Sequence, residues 1–115
     1  MKYALLLMGR VDDPLCGEDG GAEPEEFFSF DKEITDAGIV VTSFALEDPA
    51  QGVKVESTAA GEKVATAGPF AEVREFVGGT YIIDVENIDE AIAWAKKSPA
   101  SLPGGHVEIR PVAPY

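Results

Sequence analysis

Cysteine is almost missing from this chain. Cys16 stands alone, so no internal disulfide can form, and a reducing, cytoplasmic setting is expected. Histidine is as scarce. His106 is the single imidazole, hence the one side chain that titrates near neutrality without a large shift. Basic residues are few: nine Lys and Arg stand against 21 Asp and Glu, for a net charge of −12. Such a polyanion is repelled by nucleic-acid phosphates and by anionic membrane surfaces, so neither is expected as a partner. No apolar stretch approaches the ~20 residues of a membrane span. The run at residues 3–8 is too short for a signal-peptide core, and acids follow it. Zinc spacings, phosphate loops, nucleophile elbows and dinucleotide fingerprints are missing as well, so neither a metal nor a cofactor is expected. Repeats, low-complexity tracts and linkers are also missing.

What remains is an ordinary globular composition. The 115 residues are 45% hydrophobic and 26% charged, which fits a single domain with one core. A chain of this size buries roughly 65% of its unfolded surface, so no staples are needed. The acidity is local. Ten of the acids lie between Asp12 and Asp36, where Lys32 is the only base.

Residues 3–8 are apolar on both alternating faces, the pattern of a central strand covered on both sides. Residues 9–22 read as a loop of Asp, Gly and Pro. Pro24 opens a helix whose first turn carries Glu25 and Glu26. Phe27, Phe30, Ile34 and Ala37 fall on one helical face, Phe28 widens the stripe, and Gly38 stops it. Residues 39–46 form a second strand. Residues 53–58 and 62–66 form a hairpin around Ala59, Ala60 and Gly61, with Lys54 and Glu56 on its wet face. Residues 80–85 are a strand launched by Gly78 and Gly79. Asn87 caps the next helix, with Glu90 completing a capping box. Its inward stripe is Ile88, Ala91, Ile92 and Ala95, with Trp94 at the edge, and Ser98 and Pro99 end it. Residues 106–112 are the last strand, with Val107 and Ile109 facing one way and His106, Glu108 and Arg110 the other.

This order predicts an α+β, ferredoxin-like fold: a split β-α-β arrangement with an inserted hairpin and two helices on one face of an antiparallel sheet. The other face needs a cover, because residues 3–8 are apolar on both sides. A symmetry mate supplies one economically, so a homodimer with face-to-face sheets is expected.

The segment Ala67-Gly68-Pro69-Phe70-Ala71-Glu72-Val73-Arg74-Glu75, followed by Gly78-Gly79-Thr80-Tyr81-Ile82-Ile83-Asp84-Val85, resembles the YCII-related family, in the branch named for its Asp-Gly-Pro-Phe motif. Met1-Lys2-Tyr3, Ala37-Gly38, residues 89–95 and residues 107–112 extend the likeness over nearly the whole chain. The resemblance implies a dimeric α/β barrel in a bacterial, cytoplasmic protein. It also implies kinship with small enzymes acting on ring compounds through a His and an Asp, and with proteins that accompany or are fused to transcription regulators. Ala67 replaces the motif's usual Asp, and Arg74 stands where Lys is commoner, which keeps the charge but changes donor geometry.

Gly68-Pro69-Phe70 is first a turn. As a site it makes Phe70 a pocket wall, with Arg74 reaching an anionic ligand group. Tyr81 joins this ligand-binding set, though Tyr81, Phe44 and Trp94 also read simply as core. Catalysis, if present, falls to His106 and Asp84, the nearest thing here to an acid–base pair. Asp84 has other readings: a partner for Arg110, a ligand contact, or an acid at the wet end of its strand. Asp12, Asp13, Glu18 and Asp19 lack the spacing of a calcium loop, and Cys16 lacks an activating base. Three functions remain open: a binder of a small organic ligand in a pocket between sheet and helices, a lyase- or isomerase-like acid–base enzyme, or an accessory protein working through its acidic early helix at Asp31, Glu33 and Asp36.

Overall fold

A computed structural model describes residues 1–10, 23–69 and 75–114. The N-terminal strand β1 (Lys2–Arg10) and the long β5 (Glu75–Asp84) form the centre of a four-stranded antiparallel sheet. It is flanked by β2 (Val40–Ala45) and β6 (Gly105–Pro111), in the order β2-β5-β1-β6. Helices α1 (Pro24–Asp36) and α2 (Ile88–Lys97) return the chain between strands. The hairpin of β3 (Val53–Ser57) and β4 (Lys63–Ala67) forms a sheet of its own. The split β-α-β order read from the sequence is therefore the observed one.

Each helix starts where local chemistry says it should. The Glu26 carboxylate accepts the Glu23 backbone N–H at 2.8 Å, and Pro24 needs no amide partner in the first turn. Asn87 Oδ1 accepts the Glu90 N–H at 3.0 Å. Glu90's own carboxylate reaches one residue further back than expected, to the Glu86 N–H at 3.3 Å. Gly38 follows α1 at φ +74°, a left-handed position that side chains avoid.

The core lies between the helices and one sheet face. Tyr3 and Leu5 of β1, Ile83 of β5 and Val85 meet Phe30 and Ile34 of α1 and Ala91 and Ala95 of α2. Leu5, Ile34 and Ile83 are fully buried, each contributing about 1.5–3 kcal/mol of burial. Two expectations are corrected here. Ile88 and Ile92 are 41% and 36% exposed, while Trp94 packs against the core. The inward face of α2 is therefore rotated towards Ala91, Trp94 and Ala95, because small alanines let the helix sit close to the sheet. On the hairpin, Val53 and Val55 are 64% and 66% exposed while Lys54 is half-buried. Among the described residues no dry face lies opposite Lys54 and Glu56, because the hairpin's two strands pack chiefly on each other.

The Gly-Gly pair lies inside β5 rather than ahead of it. Leu7 pairs with Gly79 and Met8 with Val77, so Gly78 is the extra residue of a bulge. Glycine is required at position 79 by proximity: an added Cβ would lie 2.9 Å from the Phe44 carbonyl oxygen of β2.

The register also fixes what the sheet's second face carries. Ala4, Leu6 and Met8 of β1 pair with Arg110, Glu108 and His106 of β6, and Ala4 and Leu6 also pair with Ile82 and Thr80 of β5. Phe44 of β2 stands beside Thr80 on the same side and is 52% exposed. Neither helix contributes to this face. No helix among the described residues is long and apolar enough to cross a membrane.

Candidate functional site

Where the sheet carries glycines, its helix-covered face lacks side chains. Gly9 pairs with Gly105 and with Phe76, and Leu7 with Gly79. A cavity of about 590 Å³ opens over this end of the sheet. Its floor is Leu7, Gly9, Gly78, Gly79 and Gly105. One wall is Phe27, Phe28 and Asp31 from α1, and the other is Pro99, Ala100 and residues 102–104. Ser43, Phe44 and Ala45 of β2 and Phe76 of β5 close the rim. Gly105 is held tightly, since a Cβ there would lie 2.8 Å from the Ala100 carbonyl oxygen and 2.9 Å from that of Met8.

Tyr81 and Asp31 form the polar centre. The Tyr81 hydroxyl donates to Asp31 Oδ1 at 2.7 Å, across fifty residues of chain. The ring is fixed from behind by Phe30, edge to face at 5.5 Å and 87°. Phe30 in turn meets Trp94 at 6.4 Å. Lys97 lies 4.9 Å from the Trp94 ring and bonds Glu33 of α1 at 2.6 Å. Aromatic contacts and an interhelical ion pair thus set the angle at which Asp31 overhangs the sheet. Partial burial, with the Asp31 bond and charge, pushes the Tyr81 phenol well above its ordinary value. The phenol stays a donor, and Asp31 remains its acceptor.

Of the residues singled out in the sequence, Tyr81 lines this cavity. Phe70 and Arg74 lie outside the described residues, as do Asp12, Asp13, Cys16, Glu18 and Asp19. Asp84 lies at the wet end of β5. Its carboxylate accepts from the N-terminal ammonium at 3.0 Å, a pair exposed on both sides and worth little in water. His106 is exposed, and its pairing with Met8 puts it on the second face of the sheet. Asp84 pairs with Lys2 at the far end of β1, about 20 Å from Met8 at strand rise. One chain therefore does not bring Asp84 and His106 together. Asp31 was expected only on an acidic interaction surface and Phe27 only in the core stripe, and Phe76 was not singled out. The usable signal was Phe27, Phe28 and Asp31 in the helix's first turns, more aromatic surface than the core stripe needs. Among the described residues, no three His, Cys, Asp or Glu side chains gather to hold a metal.

Comparison with known proteins matches residues 1–115 to the YCII-related domain. A protein of Rhizobium meliloti (strain 1021), described as uncharacterized, is 44% identical over 57 residues, 49% of this chain and 46% of that relative. The matched stretch thus spans about half the length of that relative.

Proposed function

The chain belongs to the YCII-related family, and from that premise we propose that it is a homodimeric small-molecule-binding domain whose ligand enters the cavity between α1 and the sheet. The observation that carries this is a space of about 590 Å³ with mostly apolar walls and one hydrogen-bonded pair, Tyr81–Asp31, at its centre. Ligand sites are commonly about 300–1,000 Å³, apolar, with a few placed polar groups that set orientation. Phe70 is proposed as a further ligand contact. Gly68-Pro69-Phe70 supports membership of the branch named for the Asp-Gly-Pro-Phe motif, with Ala67 in the motif's first place. The separation of Asp84 and His106 favours binding over acid–base catalysis by that pair within one chain.

The homodimer is supported by the second sheet face. Ala4, Leu6, Met8 and Ile82 are only half-buried there, beside the exposed Phe44. A second copy laid across that face would remove this apolar surface from water.

A thermal-shift screen against small aromatic metabolites tests the binding proposal. A ligand at ~100 times its dissociation constant adds about 2.7 kcal/mol, several degrees for a domain of this size. Reproducible shifts that are lost in Ala45→Trp, which fills the cavity from its rim, support the proposal. A flat screen speaks against it.

A further inference from the structure

We propose that this cavity takes an organic cation, a protonated amine carried on an apolar body of aromatic size. The inference rests on the cavity being the ligand site. The Tyr81 hydroxyl has a single proton, and it is committed to Asp31 Oδ1 at 2.7 Å. Towards the cavity the pair then presents acceptors: the phenol oxygen's lone pairs and those the carboxylate has left. A ligand that satisfies them must bring donors.

Charge points the same way. Among the described residues lining the cavity, Asp31 is the only charged side chain. An ammonium ion there gains a charge-assisted hydrogen bond, the stronger kind. Phe27, Phe28 and Phe76 stand around the same space, and aromatic faces attract cations while their rings cover an apolar body. The chain's net charge of −12 adds a longer-range attraction that salt screens. A carboxylate ligand would instead set a second negative charge beside Asp31. Because the Tyr81 phenol is held above its ordinary value, the pair keeps this acceptor arrangement throughout the neutral range.

Calorimetric titration of the full chain at neutral pH tests this with 2-phenylethylammonium, its neutral isostere 2-phenylethanol and the anionic 3-phenylpropionate. The ammonium should bind about tenfold more tightly than the alcohol, with the carboxylate weakest. Added salt should narrow the gap, and Asp31→Asn should close it to about twofold, with the loss falling mainly on the ammonium. Tyr81→Phe, which leaves Asp31 unshared, should keep or strengthen ammonium binding, and it serves as the test if Asp31→Asn fails to fold. Equal or tighter binding of the alcohol or carboxylate overturns the inference, as does an ammonium preference that survives in Asp31→Asn or is lost in Tyr81→Phe. In those cases Ala45→Trp, which fills the cavity from the rim above Gly79, separates the two claims. If it abolishes binding of the tighter compound, the cavity stands as the ligand site and only the cation reading falls. No heat from any of the three compounds overturns both.

Discussion

The Tyr81 phenol is the residue whose chemistry the fold alters most visibly. Burial comes first among the causes, then the Asp31 hydrogen bond and charge, and all push its pKa upward. The phenolate absorbance of Tyr81 should therefore appear only well above pH 10, where a free tyrosine ionises. Asp31→Asn should bring the titration part of the way back, since burial remains. An ordinary titration in the wild type, or no movement in the variant, would contradict the pair. The sign for stability follows from the same shift. Above about pH 10 the unfolded chain releases this proton while the folded chain keeps it, so stability should fall as pH rises. Melting curves between pH 8 and about 11 would show it as a decline that Tyr81→Phe reduces. Tyr81 could be named from the sequence, but not its partner. No local spacing links residues fifty positions apart, and the strand and helix that carry them meet only in the folded chain. Asp84 and His106 fail as a pair for the converse reason: Asp84 stood out as an acid on an apolar strand and His106 as the one histidine, but register set them at opposite ends of β1.

At the scale of elements, glycines decide where the chain can close around its cavity. Gly79→Ala forces a Cβ to 2.9 Å from the Phe44 carbonyl, and Gly105→Ala to 2.8 Å from that of Ala100. Each should cost about 1–3 kcal/mol as an overpacked site, a fall of about 4 °C or more in melting temperature. Gly78→Ala meets its nearest neighbour at 3.5 Å, an ordinary contact, so it should melt close to wild type. Equal losses at all three positions would refute this account of the bulge. The sequence could not distinguish these roles, because a glycine that begins a strand and one crowded by the next strand look alike. Caps were legible because their chemistry is local: Asn87→Ala should cost about 1 kcal/mol of stability by denaturant titration. The inward face of α2 was only half legible. Ile88 and Ile92 fit a helical stripe with Ala91 and Ala95, yet the sheet selects the side on which small residues permit close approach.

For the whole molecule, strand order and layer arrangement were readable from the β-α-β, hairpin, β-α-β succession, because each return through a helix restricts where the next strand can pair. A pocket between sheet and helices was expected, but its lining was not readable, because it is defined by side chains that are missing from the sheet floor. The sheet face that neither helix covers and the hairpin's exposed Val53 and Val55 are the surfaces on which a second copy would act. Light scattering at micromolar concentration should return twice the chain mass, and Leu6→Glu should return the single mass with its circular dichroism intact. A monomeric wild type would refute the dimer. The account's central claim is that a small molecule occupies the space between α1 and the sheet. Backbone amide shifts recorded while 2-phenylethylammonium is added test it most directly. Movement concentrated at Gly9, Asp31, Gly79, Tyr81 and Gly105, with the β3–β4 hairpin unmoved, is the predicted result. Shifts gathered on the second sheet face around Leu6 and His106, or no shifts at saturating ligand, would contradict it.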